Sequence, residues 1–94
     1  MADIKHVQGE DKGKVFLYAL STCIWCRKTK NLLDSLGLNY SYVFMDELKG
    51  KEKDKKMDEL EKWNPRCSFP TLVINDKKVI VGFKEDEIKK EIGK

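Results

Sequence analysis

The sequence lacks the features that mark membrane-spanning and nucleic-acid-binding proteins. Its apolar run Val15–Leu20 is far shorter than the roughly 20 residues that a transmembrane helix requires. The 19 lysine and arginine residues are interspersed with 16 acidic residues and leave a net charge of +3, which indicates a solvated surface rather than a nucleic-acid footprint. The first residues lack a basic patch followed by an apolar segment, so we expect no signal peptide and a reducing, cytoplasmic location.

Metal ligands are scarce as well. The chain has 3 cysteines and 1 histidine, and two of the cysteines form the pair Cys23-x-x-Cys26. A four-ligand zinc site needs two more ligands, and only Cys67 and His6 are left, without a second paired motif. We therefore predict no bound metal. A zinc module, or an iron–sulfur cluster held by a dimer, stays open as the alternative interpretation of the cysteine pair.

The cysteine pair follows an apolar, strand-like run and a short polar turn, Ser21-Thr22. Two cysteines three positions apart in the first turn of a helix lie close enough for their sulfurs to bond. The first of them, Cys23, sits at the positive end of the helix dipole, where a thiolate is favoured, and the thiolate is the form that attacks disulfides. Because the expected compartment is reducing, the pair is more often catalytic or metal-binding than a structural bridge. The motif predicts a thiol–disulfide oxidoreductase.

Hydrophobic periodicity predicts one domain over residues 1–94, in the order β-α-β-α-β-β-α. Strands are predicted over 14–20, 38–45, 71–74 and 78–81, and helices over 23–36, over 51–63 and from Glu85 onward. The apolar face of the first helix is predicted to carry Trp25, Thr29, Leu32, Leu33 and Leu36. This order favours a mixed central sheet with helices on both faces, its first two strands parallel.

Residues 1–13 form a polar N-terminal extension. Two interpretations of its segment 4–7 stay open: an extra edge strand that pairs with 14–20, or a frayed tail. The stretch 46–62 is dense in charges of both signs, which favours a solvated helix face over a partner-binding patch.

The element order and two motifs together resemble the thioredoxin superfamily, and the length and compact start resemble a glutaredoxin. The motifs are Cys23-x-x-Cys26 after the first core strand and Ser68-Phe69-Pro70-Thr71 before the third, and the resemblance spans about residues 14–93. It implies a thioredoxin-like fold with a four-stranded mixed sheet and three helices. It also implies a cis peptide bond before Pro70, next to the active-site sulfurs. In such a protein Cys23 is the nucleophile and Cys26 the resolving thiol.

Several positions depart from the common glutaredoxin pattern. Leu20 stands where a lysine usually meets a glutathione carboxylate, and Ile24-Trp25 replaces Pro-Tyr. The stretch from Gly82-Phe83 to Lys84-Glu85 resembles the Gly-Phe-Arg-Pro stretch of redoxins that serve ribonucleotide reductase and take electrons from thioredoxin reductase. The resemblance therefore leaves three electron donors open: glutathione, an analogous thiol, or thioredoxin reductase.

The resemblance also implies the residues that contact substrate. They are Trp25, Ser68, Phe69, Pro70, Gly82 and Phe83. The residues before Pro70 would offer backbone groups to an extended substrate, as an added strand does. Trp25 has two open interpretations: an apolar surface for substrates, or a cover for the core between helix and sheet. Arg27 and Lys28 are candidates for stabilising the thiolate or for meeting a substrate carboxylate.

We expect a monomeric dithiol oxidoreductase that reduces disulfides of proteins or low-molecular-weight thiols. The resemblance implies no bound organic cofactor, a redox-active disulfide between Cys23 and Cys26, and an external thiol or reductase as electron donor. Nucleic acid and membranes are not expected partners. Cys67, three residues before Pro70, has two open interpretations: a regulatory or mixed disulfide near the site, or a small core filler.

Overall fold

The strand Val15–Ala19 lies at the centre of a five-stranded sheet in the computed structural model, which describes residues 4–11 and 13–92. The strands are β1 (Ile4–Val7), β2 (Val15–Ala19), β3 (Tyr40–Phe44), β4 (Thr71–Ile74) and β5 (Lys78–Val81). The helices are α1 (Ile24–Ser35), α2 (Gly50–Trp63) and α3 (Glu85–Ile92), and a short 3-10 turn spans Met45–Glu47. The predicted element order is confirmed, and so is an extra N-terminal strand.

The sheet has the order β1-β3-β2-β4-β5. Strand β2 pairs in parallel with β3 and antiparallel with β4, and β5 returns antiparallel to β4. The parallel pair follows from the helical crossover α1 between β2 and β3. Because β2 and β3 run the same way, the segments that follow them emerge at one edge of the sheet.

The predicted partner of the N-terminal strand was wrong. Strand β1 pairs antiparallel with β3, with Ile4 opposite Val43 and Val7 opposite Tyr40, instead of with residues 14–20. Both edges of β2 are already occupied by β3 and β4, so an added strand can join only at an outer edge. The frayed-tail interpretation is wrong for Ile4–Val7; residues 1–3 and Lys12 of the extension lie outside the described residues.

Successive side chains of β2 point to opposite faces of the sheet, and each face is covered by helices. On one face Leu17 packs with Leu33 of α1 and Ile88 of α3, in a cluster that we call the α1-side core. On the other face Tyr18 packs with Leu60 of α2, in the α2-side core. Burial of these apolar surfaces is the main stabilising contribution to the fold. None of the helices in the described part of the chain is long and apolar enough to cross a membrane.

Candidate active site

Cys23 occupies the N-cap of α1, at the carboxyl end of β2. Its extended backbone (φ −86°, ψ 120°) starts the helix, and its carbonyl accepts the Arg27 N–H at 3.1 Å. The Cys23 N–H in turn donates to the Leu20 carbonyl at 3.2 Å, which closes the Ser21-Thr22 turn. Strand, turn and cap thus present the Cys23 sulfur where the unpaired N–H groups of the helix converge.

The two thiols of the motif lie in different environments. The Cys26 backbone N–H donates to the Cys23 sulfur at 3.3 Å, so the N-cap side chain is a sulfur acceptor. Cys23 is half-buried, whereas Cys26 is 1% exposed and packs in the α1-side core. Burial, followed by the hydrogen bond with the Cys23 thiol, raises the pKa of the Cys26 thiol well above its ordinary value. The protonated Cys26 thiol therefore lies one helical turn after the more accessible Cys23 thiol.

The turn that carries Cys23 is tied to a second segment of the chain. The Ser21 N–H donates to Oδ1 of Asp46 at 2.9 Å, and the Ser21 hydroxyl donates to Oδ2 of the same carboxylate. These hydrogen bonds lower the pKa of Asp46. Asp46 was not among the predicted site residues, although its position two residues after β3 is a signal once the parallel pairing is known.

The peptide bond between Phe69 and Pro70 is cis, as the resemblance implied. The loop around it is held by Asn64, which is 6% exposed and donates through Nδ2 to Ser68 Oγ at 2.9 Å and Thr71 Oγ1 at 3.1 Å. The Thr71 hydroxyl donates to the Ser68 carbonyl at 2.7 Å. Asn64 was not predicted to take part in the site, and an asparagine before a proline gives no sign of these tertiary partners.

An apolar groove of about 280 Å³ lies beside the cis-proline loop. Its lining residues are Trp25, Phe69, Pro70, Gly82 and Phe83. The Gly82 N–H donates to the Pro70 carbonyl at 2.8 Å, which joins the end of β5 to the start of β4. The structure therefore brings together five of the six residues predicted to contact substrate. The sixth, Ser68, is two positions from Pro70 and makes the hydrogen bonds with Asn64 and Thr71 described above.

Trp25 projects outward and does not cover the core between helix and sheet. It is 55% exposed, and its ring stacks on Phe83 with 6.2 Å between the centroids and 27° between the planes. Lys28 Nζ lies 4.6 Å from the centroid of the Trp25 ring. The buried face of α1 is formed by Cys26, Thr29 and Leu33, so the prediction that placed Trp25 on this face was wrong. The aromatic ring that Trp25 contacts is Phe83, which lies in the segment after β5.

The remaining candidate ligands, His6 and Cys67, have neighbours of their own. His6 is exposed on β1, with its Nδ1 2.9 Å from Ser41 Oγ. Cys67 packs against the α2-side core, whereas Cys23 and Cys26 pack with the α1-side core. Within residues 4–11 and 13–92 there is no cluster of three or more histidine, cysteine or acidic side chains that could hold a metal ion.

Comparison with known proteins identifies the family. The family model described as glutaredoxin matches residues 15–79. The structure is similar to that of a glutaredoxin from Methanosarcina mazei Go1, with 53% identity over 97% of this chain and 88% of the other and a TM-score of 0.90. It is also similar to the methanoredoxin of Methanosarcina acetivorans, with 49% identity, coverage of 92% and 90%, and a TM-score of 0.89.

A curated relative points the same way. An uncharacterised glutaredoxin-like 8.6 kDa protein from the rubredoxin operon of Clostridium pasteurianum is 34% identical over 79 residues, which are 83% of this chain and 96% of the relative. The structural likeness confirms the thioredoxin-like α/β fold with an additional N-terminal strand. Together these matches support a glutaredoxin-like redox function that acts on thiol or disulfide substrates. The chain belongs to the glutaredoxin family of the thioredoxin superfamily.

Proposed function

We propose that this protein is a dithiol oxidoreductase that reduces disulfides of proteins or of low-molecular-weight thiols. One observation carries the proposal: the Cys23 sulfur caps the N-terminus of α1 and accepts the N–H of Cys26, whose own thiol is buried one turn further on. The helix N-terminus favours negative charge on an accessible sulfur. The Cys26 thiol is only three residues after Cys23, and its burial protects it from reaction with other disulfides in solution.

The reaction consists of two thiol–disulfide exchanges. The Cys23 thiolate attacks one sulfur of the substrate disulfide, forms a mixed disulfide and releases the other substrate sulfur as a thiolate. Cys26 then loses its proton to solvent and attacks Cys23, which forms the Cys23–Cys26 disulfide and releases the second substrate thiolate. Two electrons pass from the dithiol to the substrate. Two equivalents of an external thiol, or a reductase, return them.

No bound organic cofactor is needed in this cycle, since the two thiols carry the electrons themselves. The proposed electron donors are glutathione, an analogous thiol, or thioredoxin reductase. We place the protein in the cytoplasm, where the reducing environment regenerates the dithiol. A monomer suffices, since one chain supplies both thiols and the groove beside them.

Turnover with two alternative electron supplies tests the proposal. The wild-type protein is expected to reduce a model disulfide with glutathione, glutathione reductase and NADPH, or with thioredoxin reductase and NADPH. Turnover with glutathione would mean that Leu20 and the stretch around Gly82 still allow a working glutathione site. Turnover only with thioredoxin reductase would assign the donor to that enzyme. Absence of disulfide reduction by the chemically reduced protein itself would refute the proposed function.

The apolar groove is proposed to select for protein substrates. The five described residues that line it are uncharged, and Trp25 and Phe83 offer stacked aromatic surface to an extended segment beside Pro70. We expect Trp25→Ala and Phe83→Ala each to lower kcat/KM for an unfolded protein disulfide by about tenfold, since each removes a buried aromatic contact in the complex. Reduction of a small, polar disulfide should change much less, because it covers little of the groove.

Ile24→Ala is the matched control for this selectivity. Ile24 is 68% exposed and adjacent to Trp25, yet it does not line the groove. Its substitution should leave the ratio of the two kcat/KM values near that of the wild type. Equal losses on both substrates in the Trp25→Ala and Phe83→Ala variants would contradict a role of the groove in selecting protein substrates.

A further inference from the structure

The Ser21-Thr22 turn, which precedes Cys23, is hydrogen-bonded to the carboxylate of Asp46. Ser21 uses both of its hydrogen-bond donors, the backbone N–H and the hydroxyl, and both reach the side chain of Asp46. One oxygen of Asp46 accepts each donor, so the two residues form a two-point attachment across 25 positions of sequence. Hydrogen bonds to an ionised acceptor are roughly twice as strong as neutral ones.

The position of Asp46 follows from the parallel pairing of β2 and β3. In their register Ala19 lies opposite Phe44, the last residue of β3. Ser21 and Asp46 each follow two residues after this pair, so they lie side by side. Parallel strands have their carboxyl ends on the same side of the sheet, and Cys23 follows the carboxyl end of β2 on that side.

The segment that carries Asp46 is firmly anchored. Its neighbour Met45 is 2% exposed and Leu48 is 3% exposed, and both pack in the α2-side core. The Leu48 N–H donates to the Met45 carbonyl at 3.3 Å, which closes the 3-10 turn around Asp46. The exposed Asp46 side chain thus extends from a backbone segment that is held on both sides, whereas the Ser21-Thr22 turn is a surface loop between a strand and a helix.

We infer that Asp46 is a positioning residue that acts through Ser21 to hold the Cys23 turn in its reactive geometry. The inference rests on the proposed function and adds to it a residue outside both sequence motifs. If the attachment is lost, the turn gains freedom and Cys23 spends less time as the cap of α1. Small displacements of a reacting group lower its rate strongly.

A purely electrostatic role of Asp46 predicts the opposite sign. The Asp46 carboxylate is one of the groups that raise the pKa of Cys26, since a negative charge disfavours a nearby thiolate. Removal of a negative charge alone is therefore not expected to slow the alkylation of a nearby thiol. Removal of the attachment should make Cys23 less reactive, so the two roles are separable by experiment.

Alkylation of Cys23 by iodoacetamide measures this geometry without any turnover. In a Cys26→Ser, Cys67→Ser background, the rate should fall about tenfold in Asp46→Ala, which removes both acceptors. Asp46→Asn removes the charge but keeps the shape, since its amide can accept the Ser21 N–H and donate to the Ser21 hydroxyl. Its rate should stay within about threefold of the parent, as rescue by the conservative variant requires. A matched control, Glu47→Ala, removes the adjacent carboxylate of the same turn, which lies 4.0 Å from Lys5, and should leave the rate unchanged.

A lower alkylation rate in Asp46→Ala that returns to near the parental rate in Asp46→Asn supports the inference. A parental rate in Asp46→Ala, or a rate that rises equally in both variants, overturns it. If Asp46→Ala fails to show a cooperative thermal unfolding transition, Ser21→Ala decides: a slower alkylation supports the attachment and a parental rate refutes it. Since the readout is chemical reactivity, a failure here is distinct from a failure of the proposed disulfide reduction.

Discussion

Replacement of Cys23 by serine is expected to lower disulfide reduction by at least about a thousandfold, because a serine hydroxyl does not ionise near neutral pH and cannot form the mixed disulfide. Cys26→Ser is expected to stop the reaction one step later. Its Cys23 can still attack substrate, but no second thiol resolves the product. The measurements are turnover for the first variant and mass spectrometry of the trapped adduct for the second.

Cys67→Ser is the control for both variants. Cys67 packs against the α2-side core, whereas Cys23 and Cys26 pack with the α1-side core, so its loss should leave turnover near that of the wild type. Retained turnover in Cys23→Ser would refute the assignment of the nucleophile. A covalent adduct on Cys67 in place of Cys23 would show that the third cysteine takes part in the chemistry.

The two thiols of the motif should differ widely in reactivity toward an alkylating agent. At neutral pH we expect Cys26 to react at least about a hundredfold more slowly than Cys23, since only the thiolate reacts and burial disfavours it. A raised pKa means that the protonated thiol persists at neutral pH and that the thiolate fraction grows as the pH increases. The Cys26 rate should therefore climb through the alkaline range, as far as the protein remains folded.

Two variants isolate the individual thiols for this comparison. Cys26→Ser, Cys67→Ser leaves only Cys23, and Cys23→Ser, Cys67→Ser leaves only Cys26. Rates from a thiol-labelling time course should differ in the stated direction in the folded protein and become similar in denaturant. Equal rates in the folded protein would contradict the separation into one accessible and one buried thiol.

Local sequence patterns account for most of the secondary structure. The helices show apolar faces at helical spacing, the central strands are short apolar runs, and the end of α1 is marked by Gly37, whose φ of 67° is costly for other residues. The predicted helix over 51–63 matches α2 (Gly50–Trp63), because Met57, Leu60 and Trp63 form one apolar stripe on it. The spacing of Cys23 and Cys26 likewise predicts the helix cap that the structure contains.

Features that depend on tertiary register were beyond local patterns. Strand β1 pairs with β3 because the edges of β2 are occupied, and this follows only from the complete sheet order. Trp25 fits the apolar periodicity of α1, yet its ring is 55% exposed and stacks on Phe83 from the segment after β5. Asp46 and Asn64 hold the two loops of the site through contacts that no short motif specifies.

The departures from the common glutaredoxin pattern also have structural positions. Leu20, in place of the usual lysine, packs against the α2-side core and offers no charge to a carboxylate. Lys84 is exposed after β5, 4.0 Å from Glu87. These two positions are the first to substitute if the protein proves to accept electrons from thioredoxin reductase and not from glutathione.

We propose that Cys23 and Cys26 pass two electrons to a substrate disulfide and become linked to each other. The most direct test of this proposal is peptide mapping by mass spectrometry after the fully reduced protein reacts with one equivalent of a disulfide substrate. The predicted result is an intramolecular Cys23–Cys26 disulfide, with Cys67 still free and the substrate released as thiol. A reduced pair alongside unreacted substrate, or a disulfide that involves Cys67, would contradict it.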